Sequence, residues 1–135
     1  MKMVKVGSIL QIPLPDNRFA FGKLYQDSCI AIYEEIAASP NSIPQEEKFQ
    51  FIVGVYSDVL ASWAVVDFKP FACEADSWPP PMYILDPISG EYSIYYQGES
   101  IPSTKEQCKD LEEAAVWDVH HIIDRIMGED KWQNL

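Results

Sequence analysis

The residues best able to hold a metal or to act as nucleophiles are His120 and His121 and the cysteines Cys29, Cys73 and Cys108. Their spacing speaks against both kinds of chemistry. Adjacent residues on a helix diverge by about 100°, so the two histidines cannot share one metal ion, which needs i,i+4 spacing. The cysteines are odd in number, widely spaced and without a Cys-x-x-Cys pair, so neither a disulfide framework nor a zinc site is expected. Free thiols in a reducing cytoplasm are the simpler reading. Cys108 falls on an apolar stripe that must be buried, which disfavours pairing it with a histidine for catalysis. The chain has no Gly-rich phosphate loop, nucleophile elbow or metal motif. Nothing selects one acid–base pair among the 21 carboxylates. The expectation is therefore no catalytic residue, no metal and no cofactor, with a small hydrolase built on an unrecognised acid pair as the lesser alternative.

Charge is more informative. The 135 residues carry 21 acidic and 10 basic side chains, a net charge of −11. Nucleic acid and anionic membrane are repelled by such a surface, so neither is expected as a partner, whereas cationic partners are favoured. The charge is also uneven. Residues 1–25 hold Lys2, Lys5, Arg18 and Lys23 against Asp16 alone, while residues 26–76 hold nine acids against Lys48 and Lys69. That acidic block contains Glu34, Glu35, Glu46, Glu47, Asp58, Asp67, Glu74 and Asp76. It reads either as a solvated face that keeps the protein soluble or as a surface for electrostatic capture of a cationic protein. Capture of that kind raises association rates by roughly 10- to 1,000-fold and is lost with added salt.

The length is that of one domain, 1–135, and a chain this long buries roughly two-thirds of its unfolded surface. With 47% apolar residues it needs no staple. It has no repeat, low-complexity tract or long linker. No charged-then-apolar leader is present, and no run approaches the ~18 apolar residues of a membrane span, so a cytoplasmic protein is expected. The first two-thirds reads as strands. Val4 to Leu14 is apolar, Asp16-Asn17 makes a turn, and Arg18 to Tyr25 alternates, with Phe19, Phe21, Lys23 and Tyr25 on one face and Ala20, Gly22 and Leu24 on the other. Gln26-Asp27 turns the chain into Cys29–Tyr33, completing an antiparallel meander. Glu34 to Ala38 is a short helix or irregular loop, followed by a loop through Pro40 and Pro44. Phe49 to Tyr56 and Leu60 to Phe68 are further strands, with Phe49, Phe51, Val53 and Val55 on one face of the first. Trp78 and Pro79-Pro80-Pro81 form an extended connector or sheet edge. A hairpin is expected from Tyr83–Leu85 and Tyr92–Gln97.

The last third reads as one helix from Lys105 to Met127, opened by a capping box at Ser103/Glu106 or Thr104/Gln107 and stopped by Gly128. Its stripe is Cys108, Leu111, Ala115, Val119, Ile122 and Ile126. The predicted architecture is α+β, a strongly bent antiparallel sheet or small partial barrel of about six strands packed by one long C-terminal helix. On that helix Trp117 falls opposite the stripe, among Glu106, Asp110, Glu113, His120, His121 and Asp124. It is either an interface anchor with a polar rim or a second-layer core residue covered by the proline connector or by the Trp132 tail.

Two stretches resemble the immunity protein 26 family of bacterial polymorphic-toxin systems. The first runs from Val6 through Ile12-Pro13-Leu14, Asp16-Asn17 and Phe19-Ala20-Phe21-Gly22 to Lys23, like the family's Gly-initiated strand, Ile-Pro-Leu, tight turn and aromatic-Ala-aromatic-Gly strand. The second is Leu111-Glu112-Glu113-Ala114-Ala115-Val116-Trp117 with His120, Ile123 and Arg125 downstream. Pro79-Pro80-Pro81-Met82 and Gly98-Glu99 are similar to the family as well. Asn17 stands where a glycine is usual, and residues 34–78 carry no alignable motif, which is where partner specificity is expected to vary. Arg18, Phe19 and Gly22 read as determinants of the fold rather than contacts. The resemblance implies a cytoplasmic antitoxin that neutralises a cognate toxin domain. The resemblance also implies a nuclease as the target, and the acidic charge agrees with it in kind, since a protein that binds polyanions presents a basic cleft. The expected contacts are Glu34, Glu35, Glu46, Glu47, Asp58 and Asp76, with Trp78 and Trp117 as aromatic anchors. A general interaction or regulatory module of the same fold is the alternative.

Overall fold

In the computed structural model, which describes residues 4–128, the N-terminal meander forms as β1 (Ser8–Pro13), β2 (Phe19–Tyr25) and β3 (Cys29–Tyr33). Ile9 pairs with Lys23 and Pro13 with Phe19 across the first hairpin, and Gly22 pairs with Ile32 across the second. Asn17 takes φ 62° in the first turn, a left-handed conformation that asparagine tolerates well. Period-two alternation then sends Ala20, Gly22 and Leu24 to one face of β2 and Phe19, Phe21, Lys23 and Tyr25 to the other. Gly22 is a close approach: a Cβ there would collide with the Ile30 side chain.

β4 (Phe49–Val55) pairs antiparallel with β3, but the register slips between Ile32 and Tyr33. Ile32 pairs with Phe51 and Tyr33 with Phe49, so Gln50 bulges and its side-chain amide donates to the Tyr33 carbonyl (3.1 Å). The bulge turns Phe49 onto the face of Tyr33, away from Phe51, Val53 and Val55. Simple alternation, which put all four on one face, fails there for that reason.

Leu60 to Phe68 is not one strand. Helix α1 (Ser57–Ser62) comes first, and only Ala64–Phe68 extends, as β5, on the outer edge of β1. Val59, Leu60 and Trp63 are buried together at helical spacing, which explains the change. A 3-10 turn at Glu74–Ser77 and the proline connector lead into a separate antiparallel sheet, β6 (Met82–Leu85), β7 (Tyr92–Tyr96) and β8 (Glu99–Ser103). The hairpin therefore gains a third strand, with Pro102 on its outer edge where a missing N–H costs nothing.

The single long helix does not form. Helix α2 covers only Lys105–Cys108, capped by Thr104, whose side chain accepts from the Gln107 N–H (3.2 Å). The chain then pairs as a strand. Tyr83 N–H donates to the Glu112 carbonyl (3.0 Å), and Ala114 N–H donates to the Tyr83 carbonyl (2.8 Å). β9 (Val116–Trp117) runs parallel to Gly54 and Val55. Asp118 then starts a new helix, α3 (Val119–Met127), accepting from His120 N–H (3.0 Å) and His121 N–H (3.3 Å). The exposed edges of β4 and β6 supply these backbone partners, so residues 112–117 satisfy their hydrogen bonds between strands and stitch the two sheets together. Gly54 permits this approach, since a Cβ there would stand 2.9 Å from the Ala115 carbonyl oxygen.

The outcome is an α+β architecture with a six-stranded mixed sheet, ordered β5-β1-β2-β3-β4-β9, and a three-stranded sheet, with short helices. The main core lies on one face of the larger sheet, where Leu10, Ile12, Ile30, Ile32 and Val53 meet Val59 and Leu60 of α1 and Ile122 and Ile126 of α3. A second, smaller core of Ile9, Phe21, Tyr33 and Ala37 lies on the other face.

Candidate functional site

The clearest gathering of the expected contact residues is at the end of the sheet where β3 passes into β4. β3 leads directly to Glu34 and Glu35, and the returning chain brings Glu46 back beside them. These three carboxylates, with Ile43, Gln45 and Lys48, line an open groove of about 560 Å³. Lys48 pairs with Glu46 at 3.3 Å, but both side chains are largely exposed and such a pair contributes only ~0–1 kcal/mol. Three acids against one base leave the groove negative.

Several contacts fix the loop that shapes it. Glu34 N–H donates to the Lys48 carbonyl (2.9 Å), closing its two ends. Phe19 and Ala37 exchange a pair of backbone hydrogen bonds (2.8 and 2.9 Å). Pro44 is buried, and its carbonyl accepts from Lys69 Nζ (2.8 Å). The groove is thus held before any partner arrives.

Glu47 has a different position from its neighbours. It turns toward the sheet, where Oε1 accepts from Lys23 Nζ (2.7 Å) and Oε2 accepts from the Tyr33 hydroxyl (2.7 Å). The Lys23 side chain is 3% exposed, against 47% for Glu47. The Phe71 ring sits 4.1 Å from the ammonium, and Tyr25 meets Phe71 edge-on at 4.7 Å. Partial burial opposes the charge on Glu47, but the bonds from Lys23 and Tyr33 outweigh it and hold the carboxyl below its ordinary value. The Tyr33 hydroxyl is pushed up, first by burial and then by its bond to Glu47. Glu47 therefore borders the acidic groove while tying the loop to β2 and β3. Lys23 and Tyr33 were not among the expected functional residues. The signal was present, since Lys23 stands on the same face as Phe19, Phe21 and Tyr25, and a lysine so placed needs an anionic partner.

The other expected contacts lie elsewhere. Asp58 is exposed in the first turn of α1, beyond the far end of β4. Asp76 sits in the 3-10 turn, which is held beside the β2–β3 turn by Gln26 N–H donating to the Ser77 carbonyl (2.9 Å). Trp78 is half-buried at the start of the proline connector. Trp117 lies in β9, not on a helix opposite an apolar stripe, so the ring of acids projected around it does not exist. Its neighbours are Phe51, stacked at 6.5 Å, His121, edge-on at 6.3 Å, and the Arg125 guanidinium, 5.3 Å from its ring. Arg125 is itself clamped by Glu112 through two bonds of 2.7 and 3.0 Å. Half-buried against the main core, Trp117 forms part of its second layer. The Trp132 tail lies outside the described residues.

Among the described residues no group of three or more His, Cys, Asp or Glu is placed to hold a metal ion. Cys29 is buried, and its thiol is pushed up to about 12 by burial and by Asp27, which makes it a poor nucleophile at neutral pH. No helix among the described residues is long and apolar enough to cross a membrane. The chain was compared with protein-family models, with curated proteins and with solved structures, and no match was found.

Proposed function

We propose that this protein is a cytoplasmic immunity protein that binds and neutralises a cognate cationic toxin domain, a nuclease in the first instance. The observation that carries the reading is the pre-held acidic groove of Glu34, Glu35 and Glu46. The net charge of −11 and the resemblance of both ends of the chain to immunity protein 26 point the same way. A rigid anionic concavity suits a basic nuclease cleft, because its carboxylates can occupy positions that phosphates would take. The inhibition is non-covalent and needs no cofactor. Glu34, Glu35 and Glu46 make the central contacts, with Asp58, Asp76, Trp78 and Trp117 left to a wider footprint or to the fold.

The test is a pull-down and activity assay with the C-terminal domain of any toxin that the gene immediately upstream encodes. Stoichiometric capture with loss of toxin activity is expected. The triple variant Glu34→Lys/Glu35→Lys/Glu46→Lys should associate roughly 10- to 100-fold more slowly. Full inhibition by the triple variant at an unchanged association rate, or no capture by the wild type, refutes the proposal.

A further inference from the structure

A second concavity, of about 290 Å³, lies where the two sheets meet, at the opposite end of β3 from the acidic groove. Its walls are Cys29, Met82, Ile84 and Val116 with the small residues around them, and Asp27 is the one charged side chain in its lining. The Asp27 Oδ2 accepts from the Tyr95 hydroxyl (2.6 Å), and among the described residues Asp27 forms no ion pair.

The walls are built rather than incidental. The bonds joining Tyr83 to Glu112 and Ala114 hold one side, and β9 on Gly54 and Val55 holds the other. Asp27 and Ser28 adopt φ 65° and 53° at the centre of the β2–β3 turn, and the Ser28 carbonyl accepts from Val55 N–H (2.9 Å). Two successive non-glycine residues in the left-handed region carry a conformational cost, and here they set the carboxylate at the mouth of an apolar slot.

The contents of such a slot are restricted. An anion is repelled by Asp27. A metal ion finds a single carboxylate and a thiol held protonated. A neutral apolar group gains nothing from the exposed Asp27 carboxylate, whereas a cation does. At about 290 Å³ the concavity is large enough to take one basic side chain. We infer that the concavity receives one basic side chain of a partner protein, its alkyl stem against Met82, Ile84 and Val116 and its cationic head on Asp27. The overall charge of −11 favours approach of that partner. The inference rests on this geometry and holds whether or not the partner is a toxin.

The experiment is an amide-resolved NMR titration of the full chain with n-butylguanidinium, 1-butanol, methylguanidinium and a blocked Gly-Arg-Gly peptide. Saturable shifts at Cys29, Ile84, Tyr95 and Val116 with millimolar affinity are expected for n-butylguanidinium and for the peptide. Binding should weaken about fivefold in Asp27→Asn, a substitution that keeps both the turn and the bond from Tyr95, because asparagine tolerates positive φ. Butanol binding as tightly as n-butylguanidinium shows an apolar slot only and overturns the inference. Equal binding of methylguanidinium, unchanged affinity in Asp27→Asn or absence of saturable shifts overturns it too. Binding of n-butylguanidinium without the peptide identifies a site for small free cations and overturns the docking role.

Discussion

The two faces of β2 are buried by different means. On the face of Ala20, Gly22 and Leu24, side chains of β1, β3 and β4 meet α1 and α3 in an apolar core. On the face of Phe21 and Lys23, a smaller apolar cluster is joined by a buried charge, the ammonium of Lys23 at Phe71 with Glu47 and Tyr33 completing its shell. The first face derives stability from area removed from water, which is non-directional. The second exchanges some of that for direction, since only one placement of the 34–48 loop brings Glu47 to both Lys23 and Tyr33. The consequence reaches the surface: the same loop carries Glu34, Glu35 and Glu46.

Substitutions on the two faces should separate these modes. The largest effect belongs to the apolar face, where Ile32→Ala removes a fully buried side chain and should cost about 3–4 kcal/mol by chemical denaturation. Glu47→Ala comes next. It leaves the Lys23 ammonium buried without its carboxylate, at about 2–3 kcal/mol, less than for a fully enclosed pair because water reaches the half-exposed Glu47 position. Tyr33→Phe removes one charge-assisted bond and should cost about 1–1.5 kcal/mol. Lys23→Met should fall within about 1 kcal/mol of the wild type, since methionine fills the apolar space and Glu47 can turn to water. A cost for Lys23→Met equal to that of Glu47→Ala would erase the asymmetry between the partners. The smallest effect is in the pH profile. Glu47 is held below its ordinary value of 4.5, so its contribution is present above that pH and is lost as pH falls through the folded-state value. Glu47→Gln should flatten the acid limb of the stability curve there.

Legibility followed the range of the interactions. The meander was readable because each hairpin is set by neighbours in sequence, through alternation and the Asp16-Asn17 and Gln26-Asp27 turns. The C-terminal third was misread because its decisive partners are distant. Leu111 to Val119 keeps helical spacing of apolar residues, yet Tyr83, Gly54 and Val55 supply backbone partners that the spacing cannot anticipate. Asp118 was the overlooked local signal, an N-cap placed directly before a short run with Ile122 and Ile126 on one face. For the site, the acidic block was visible as composition. Its division was not, because Glu46 and Glu47 are adjacent yet one lines the groove and the other is spent on Lys23. Only the alternation that put Lys23 among aromatic residues hinted at that division.

Steering of a cationic partner by the groove is tested most directly by association kinetics across ionic strength. Stopped-flow association of the proposed toxin partner should be fast at low salt and fall steeply toward physiological salt for the wild type. Glu34→Gln/Glu35→Gln/Glu46→Gln should bind more slowly and lose most of that salt dependence while remaining folded. A wild-type rate that is flat with salt, or a triple variant with the wild-type rate and slope, would contradict it.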